Sequence, residues 1–258
     1  SLESEEVVRG ARMYFCDREV QGCLRLKLYQ SEGSLPLSEG VPALEDFGFY
    51  VRSEMPTVLD EGRLGTIHDF LLDLKPGADP KALIDRSDAI EEAVSAVLNS
   101  EAENDPFNRL VPEAGLSARE ANWLRAFYRY LRQAGMGFTI YTVVDALAAA
   151  PDVTRALIAL FTARHDPEFG TGRDKAVEDA RAAIKRGLAK VKAINDDRLL
   201  RLYNSLIDAI LRTNAFAPAA AEALAFKINS AKVPNLPKPI PYREIFVYSR
   251  RVEGIHLR

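Results

Sequence analysis

The spacing of apolar residues changes near Pro80, and this switch constrains the fold more than any other feature of the chain. Before it the apolar residues alternate or cluster in short runs, as strands require; after it they recur every three or four positions, as helices require. From Leu24 to Leu28 apolar side chains alternate with Arg25 and Lys27, and Gly33 and Pro36 then break the run. Residues 37–47 fit a short helix, with Gly48 placed as a C-cap glycine. Residues 49–55 fit a second strand ending at Pro56, and residues 66–74 a third, stopped by Pro76 and Gly77. The expectation is a small β-α-β-β unit over 24–79, with 7–16 open as a further element and 1–23 an unassigned lead-in.

A helical domain is expected over 80–224. One helix should run from Ala82 to Leu98, with Leu83, Ile84, Ile90, Ala93, Val94, Val97 and Leu98 on one face. Ser117 and Glu120 form a capping box, Gly135 closes the same helix, and Leu124, Phe127, Tyr128 and Leu131 line its apolar stripe beside Trp123. A helix over 140–149 and one led by Pro151 follow. The longest run, 174–194, repeats Val177, Ala180, Ile184, Leu188, Val191 and Ile194, and 197–211 continues after a break near Asn195. Strand pattern returns at 225–229, and Pro234, Pro237, Pro239 and Pro241 stiffen an extended crossing. The last strand, from Glu244, runs to Arg258 with no turn to close it, and such an apolar run needs a pairing partner. The chain is therefore expected to be a piece of a longer protein, with 225–258 opening a further domain. The fold class is α+β: a small α/β unit, a mainly helical domain and a terminal extended segment.

Composition narrows the function classes. With 258 residues the chain can bury one or two cores, and two domains is the expectation. Thirty-four basic against 37 acidic residues, in no long block of one sign, leave no electrostatic footprint for nucleic acid. Only Cys16 and Cys23 occur, which fits a reducing compartment rather than a disulfide framework or thiolate zinc site. No apolar run approaches the ~20 residues that span a bilayer, and the acidic start is unlike a secretion signal. A cytoplasmic protein without a membrane partner is expected.

The motifs each have a plainer reading. Gly135-Met-Gly137 and Gly170-Thr-Gly172 supply two glycines of a dinucleotide fingerprint, but both lie between helices and read as a helix terminator and a helix start. His68, His165 and His256 have no partner at metal-ligand spacing and read as ordinary histidines. Cys16 and Cys23 read as small buried side chains. The box Asp196-Asp-Arg-Leu-Leu-Arg201 offers guanidinium groups for a carboxylate; its plainer role is a helix start with acids at the N-terminus, and Arg250, Arg251 and Glu253 carry the same ambiguity. Pro234-Asn-Leu-Pro237 reads as a rigid crossing before a docking motif. Trp123, Phe127, Tyr128 and Tyr130 read as core before a ligand pocket. No residue is assigned a catalytic, cofactor-binding or metal-ligating role.

Taken in order, several segments resemble the middle portion of the large, high-molecular-weight bacterial NAD-specific glutamate dehydrogenases. They are 37–48, Asn108-Arg-Leu-Val111 with Ala114-Gly-Leu116, Arg119-Glu120, Tyr130-Leu-Arg-Gln133, Phe161, Asp166-Pro167, 211–216, 225–230 and 244–258. The resemblance runs from about Leu24 to the end. It implies a parent enzyme that oxidises L-glutamate to 2-oxoglutarate and ammonia with NAD, and an internal segment upstream of the catalytic domain. On this view the substrate pocket and nucleotide domain begin just after Arg258, the last strand is the first of the catalytic domain, and the segment itself is inactive and binds no NAD. The β-α-β-β unit resembles the ACT-like regulatory modules of these enzymes, although no fourth strand could be placed. The implied role is regulatory and scaffolding, with the rest of the polypeptide as partner and room for a homo-oligomer and an amino-acid effector. A stand-alone ACT-like amino-acid sensor and a helical assembly module are the alternatives.

Overall fold

The computed structural model describes residues 8–15 and 23–258. Cys16 lies outside the described residues, as does most of the unassigned lead-in. The chain divides into two compact units, Ser1–Ala118 and Arg119–Arg258.

The first unit contains β1 (Arg9–Phe15), β2 (Cys23–Gln30), α1 (Leu37–Asp46), β3 (Tyr50–Val58), β4 (Thr66–Asp73), α2 (Pro80–Ile84), α3 (Ser87–Leu98) and α4 (Leu110–Ala114). Its sheet has the order β1-β2-β4-β3, with every neighbouring pair antiparallel. Strand β4 inserts between β2 and β3, which α1 connects, so this is a split β-α-β unit. The fourth strand that sequence pattern did not place is β1. It occupies the edge beside β2 that the last strand fills in a β-α-β-β-α-β chain, so the topology is that arrangement circularly permuted.

The core of this unit follows from alternation. Leu24, Leu26 and Leu28 of β2 and Phe70 and Leu72 of β4 point to one face, where Leu44 and Phe47 of the α1 region and Ile90 and Val94 of α3 meet them, all essentially inaccessible. Each such side chain contributes about 1.5–3 kcal/mol of burial. The opposite face is polar: Arg25 pairs with Asp69 at 3.3 Å, and the Tyr14 hydroxyl donates to the same carboxylate at 2.7 Å.

Both sheet edges are managed. At β1, Glu91 and Ser95 of α3 and Asn99 at its C-cap, spaced by four, present acceptors to alternate backbone N–H groups: Asn99 Oδ1 to Arg9 at 2.9 Å, Ser95 Oγ to Ala11 at 3.0 Å, and Glu91 Oε1 to Met13 at 2.8 Å. A helix thus closes an edge that would otherwise recruit a strand. At the other edge β3 does not stop at Pro56 but runs through it to Val58, which an edge strand tolerates because a missing N–H can face outward. A bulge between Val51 and Ser53 disrupts that edge further.

The single helix expected over 82–98 is two, α2 and α3. Asp79 caps α2, accepting from the Lys81 N–H at 2.9 Å, and the backbone leaves helical geometry at Arg86 (φ −121°, ψ 19°), whose guanidinium donates to the Pro112 carbonyl at 2.7 Å.

The second unit holds α5 (Ala118–Gln133), α6 (Ile140–Ala149), α7 (Pro151–His165), α8 (Arg173–Leu188) and α9 (Ile194–Ala209). Four strands follow: β5 (Ile210–Thr213), β6 (Leu224–Ile228), β7 (Glu244–Tyr248) and β8 (Glu253–Leu257), an antiparallel meander in chain order. Helices α6 and α7 match the sequence reading. The run expected over 174–194 ends instead at Leu188, where Lys190 and Val191 donate back to Gly187 and Leu188, and the next helix starts at Ile194. Ile194 is accordingly 85% exposed rather than part of an apolar stripe. Leu211 belongs to β5, not to a helix. The terminal strand is a hairpin, β7 and β8, whose turn is set by Ser249: its N–H donates to the Val252 carbonyl at 2.8 Å, and its hydroxyl accepts from Arg251 and Val252.

Candidate functional site

His68 is the most connected of the three histidines. It lies on β4, faces the core and is 2% exposed. Its Nδ1 meets Glu54 Oε1 of β3 at 2.7 Å, while Nε2 accepts the Leu35 backbone N–H at 3.0 Å, with Ser34 Oγ 3.4 Å away. Serine, histidine and carboxylate in sequence suggest nucleophilic catalysis. The bond from Leu35 decides otherwise: the Nε2 lone pair that would take the serine proton is occupied by an amide. The ring is therefore a neutral clamp holding the 31–36 loop to the sheet. Sequence inspection missed Ser34 and Glu54 because they reach His68 only through strand pairing.

His165 ends α7. Its ring packs on Phe161 with centroids 5.2 Å apart, and Nε2 is buried without a hydrogen-bond partner. Burial, with the Arg164 and Arg173 cations nearby, lowers its pKa from 6.5 to about 4. Both arginines have structural tasks. Arg164 pairs with Asp208 at 2.7 Å, and Arg173 caps the end of α7 by donating to the carbonyls of Ala163 and Asp166 at 2.7 and 2.5 Å. His256 is exposed on β8, and the side chain of Cys23 is outside what the structure describes. Among the described residues, no group of three or more His, Cys, Asp and Glu side chains is placed to hold a metal ion.

The aromatic group is core. Trp123, Phe127, Tyr128 and Tyr130 are at most 4% exposed, and Phe127 lies 5.3 Å from both Phe161 and Phe226. Tyr130 adds a polar contact that sequence did not reveal: its hydroxyl donates to Glu244 Oε2 at 2.6 Å in a buried setting. Burial first, then that carboxylate, raise the Tyr130 pKa far above the ordinary phenol value. At the far end of the same sheet Glu253 receives Gln133 Nε2 at 3.0 Å and Arg132 at 3.4 Å, while Arg250 and Arg251 sit exposed in the hairpin turn.

Neither glycine pair fits a dinucleotide. Gly135 terminates α5 with φ +94°, where Met136 N–H donates to the Leu131 carbonyl, and Gly172 opens α8 with φ +87°. Among the described residues, the strand-to-helix connections β2–α1 and β4–α2 hold one glycine each, Gly33 and Gly77. The glycine-rich strand–turn–helix that lets bare backbone approach a pyrophosphate is thus not among them.

Two of the cavities among the described residues lie in the second unit. One, of about 320 Å³, is bordered by the Gly135–Phe138 turn, Arg198 and Leu202 of α9, and Pro234 and Asn235. It joins three stretches that sequence inspection singled out separately: the first glycine pair, the Asp196–Arg201 box and the proline crossing. The second, of about 370 Å³, lies among α7, the end of α8 and the start of α9, with Lys190 and Lys192 at its rim. Within the box, Asp197 and Arg201 pair at 2.8 Å as helix neighbours four apart.

Fold and site together define a class: a permuted ACT-type α+β unit, then a helical unit that ends in a four-stranded meander. Residues 10–86 match the family described as glutamate dehydrogenase, ACT3 domain; 102–167 match glutamate dehydrogenase, helical motif 3; and 183–258 match bacterial NAD-glutamate dehydrogenase, catalytic domain. The chain is 39% identical over 248 residues to an NAD-specific glutamate dehydrogenase of Pseudomonas aeruginosa, covering 91% of this chain and 15% of that protein. It is 38% identical over 240 residues to the one of Halomonas elongata, with the same two coverages, 91% and 15%. With the enzyme of Mycobacterium tuberculosis it shares 33% over 261 residues, 96% of this chain and 16% of that one. Over most of its length the chain is similar to bacterial NAD-specific glutamate dehydrogenases, and it spans about 15% of the length of these relatives. The catalytic-domain match begins at 183, inside α8, and so takes in more of the chain than the 225–258 that the resemblance implied. Among the described residues no helix is long and apolar enough to cross a membrane.

Proposed function

We propose that this chain is a noncatalytic regulatory and scaffolding segment of a cytoplasmic NAD-dependent glutamate dehydrogenase, whose parent converts L-glutamate, NAD and water to 2-oxoglutarate, ammonia and NADH. The observation that carries the reading is the order of the matches: ACT3 unit, helical motif, then a catalytic-domain stretch, within 258 residues. Hydride transfer needs donor and acceptor carbons held near contact in a water-poor cleft. The groups best placed for chemistry are instead committed to structure: His68 clamps a loop, and Tyr130 holds Glu244. The segment neither binds NAD nor turns over glutamate in this reading, and the rest of the polypeptide supplies both.

The test is glutamate-dependent NADH formation by the purified chain, alone and within its parent. No turnover by the chain alone and activity in the parent are expected; turnover by the chain alone overturns the proposal.

A second reading has one observation in its favour. Strand β1 completes a four-stranded ACT-type sheet, so the first unit has the framework of an amino-acid-binding module. Calorimetric titration with a panel of amino acids decides it, and silence across the panel counts against it.

A further inference from the structure

We infer that the cavity between the end of α5 and α9 binds a small organic monocarboxylate, held by Arg198. The inference stands on the cavity itself and does not depend on the proposed function. At about 320 Å³ the space suits a ligand of metabolite size. Leu131, Met136, Phe138, Leu202 and Pro234 supply the apolar part of a mixed, partly open lining, and Arg198 is the single charged side chain among its lining residues.

That cation is unspent. The acid beside it in sequence, Asp197, is taken by Arg201 at 2.8 Å, and among the described residues Arg198 forms no ion pair or hydrogen bond. Arg198 is exposed at the mouth of this space, and a guanidinium with a free fork beside apolar side chains matches a carboxylate on a small apolar body, because the planar group offers two parallel donors. Asn235 places a second polar side chain on the rim, on a backbone held at φ +61°.

The wall facing it is fixed before any ligand arrives. The Gly135 and Met136 N–H groups donate to the Arg132 and Leu131 carbonyls at 3.1 and 2.9 Å and hold the turn. With one cation in the lining, a second carboxylate or a phosphate dianion would find no second partner there.

The experiment is isothermal titration of the 258-residue chain with 3-methylbutanoate, its neutral amide and succinate. Saturable one-site binding of 3-methylbutanoate at roughly millimolar Kd is expected, in keeping with a ligand of few heavy atoms. The amide and succinate should bind at least tenfold more weakly. Arg198→Gln should lose at least tenfold and Arg198→Lys should recover part of it. Leu202→Trp, which narrows the cavity and keeps the charge, should lose binding as well, with circular dichroism showing all three variants folded. No saturable heat into the tens of millimolar, or equal binding by Arg198→Gln or by Leu202→Trp, overturns the site.

Discussion

The side-chain amide of Asn99 pairs with both backbone groups of Arg9: Oδ1 accepts the N–H at 2.9 Å and Nδ2 donates to the carbonyl at 2.8 Å. One side chain thus stands in for a neighbouring strand at the edge of the sheet, and Ser95 and Glu91 extend the substitution along β1. Asn99→Ala leaves two backbone groups without protein partners and should cost about 2 kcal/mol, twice the effect of Ser95→Ala. Urea unfolding measures the cost. Amide exchange should quicken at Arg9, Ala11 and Met13 before it quickens in β4, and an unchanged pattern at those amides refutes the edge-cap assignment.

Gly65 sits at φ +91°, and a Cβ there would collide with the Gln30 carbonyl oxygen, a backbone atom that cannot step aside. Gly77 has a similar φ, +86°, but open space around it. The pair separates conformational from steric cost. Gly77→Ala should lose about 1–2 kcal/mol from the left-handed backbone alone, and Gly65→Ala roughly twice that or more. Equal losses in thermal or urea unfolding would show that the close approach of residues 65 and 30 contributes nothing.

Helices α7 and α8 meet where Gly187 faces Val153, since a Cβ at 187 would overlap Val153 Cγ2. The missing side chain lets the two backbones approach. Gly187→Ala should therefore destabilise by about 1–3 kcal/mol through overpacking, more than offsetting the gain in helix propensity. Adding Val153→Ala removes the clashing methyl groups and should restore part of the loss. A double-mutant cycle reads the coupling, and strict additivity would remove the contact from the account.

Ser34, His68 and Glu54 invite a test of chemistry. With the Leu35 N–H on His68 Nε2 at 3.0 Å, the ring cannot accept the Ser34 proton. An organophosphonate probe should leave Ser34 unlabelled at neutral pH, as should any ester turnover assay of the chain. Glu54→Gln should instead loosen the 31–36 loop, seen as faster exchange of the Leu35 amide. Labelling at Ser34 would contradict the clamp.

How far this was legible in the sequence follows the range of each signal. Alternation at Leu24, Leu26 and Leu28 and helical spacing at Leu124, Phe127 and Leu131 are local, and they located β2 and α5 correctly. The fourth strand was not placed because β1 is mostly half exposed, and is held as much by α3 side chains as by its own apolar residues. The missed hairpin at Ser249 has a turn made by a serine hydroxyl and two arginines, with no Asn-Gly or Asp-Gly to announce it. Arg198 read as one member of a charged helix start. Only the chain's return at Pro234 and Asn235 makes it the lone cation of a cavity.

His165 supplies a pH dependence whose sign can be worked out. Burial and two flanking arginines lower its pKa from 6.5 to about 4, so the folded chain prefers the neutral ring. Between those values the unfolded state holds the proton and the folded state does not, which makes stability rise with pH. The contribution is complete above about pH 6.5 and is lost as pH falls toward 4. His165→Gln removes the titration, so its urea midpoint should fall less than that of the unchanged chain across this window. Carboxylates that protonate near the lower end act on both proteins alike, and the difference between the two curves isolates the imidazole. Parallel curves from pH 7 to pH 4 would mean that the Nε2 atom buried against Phe161 is solvated in solution.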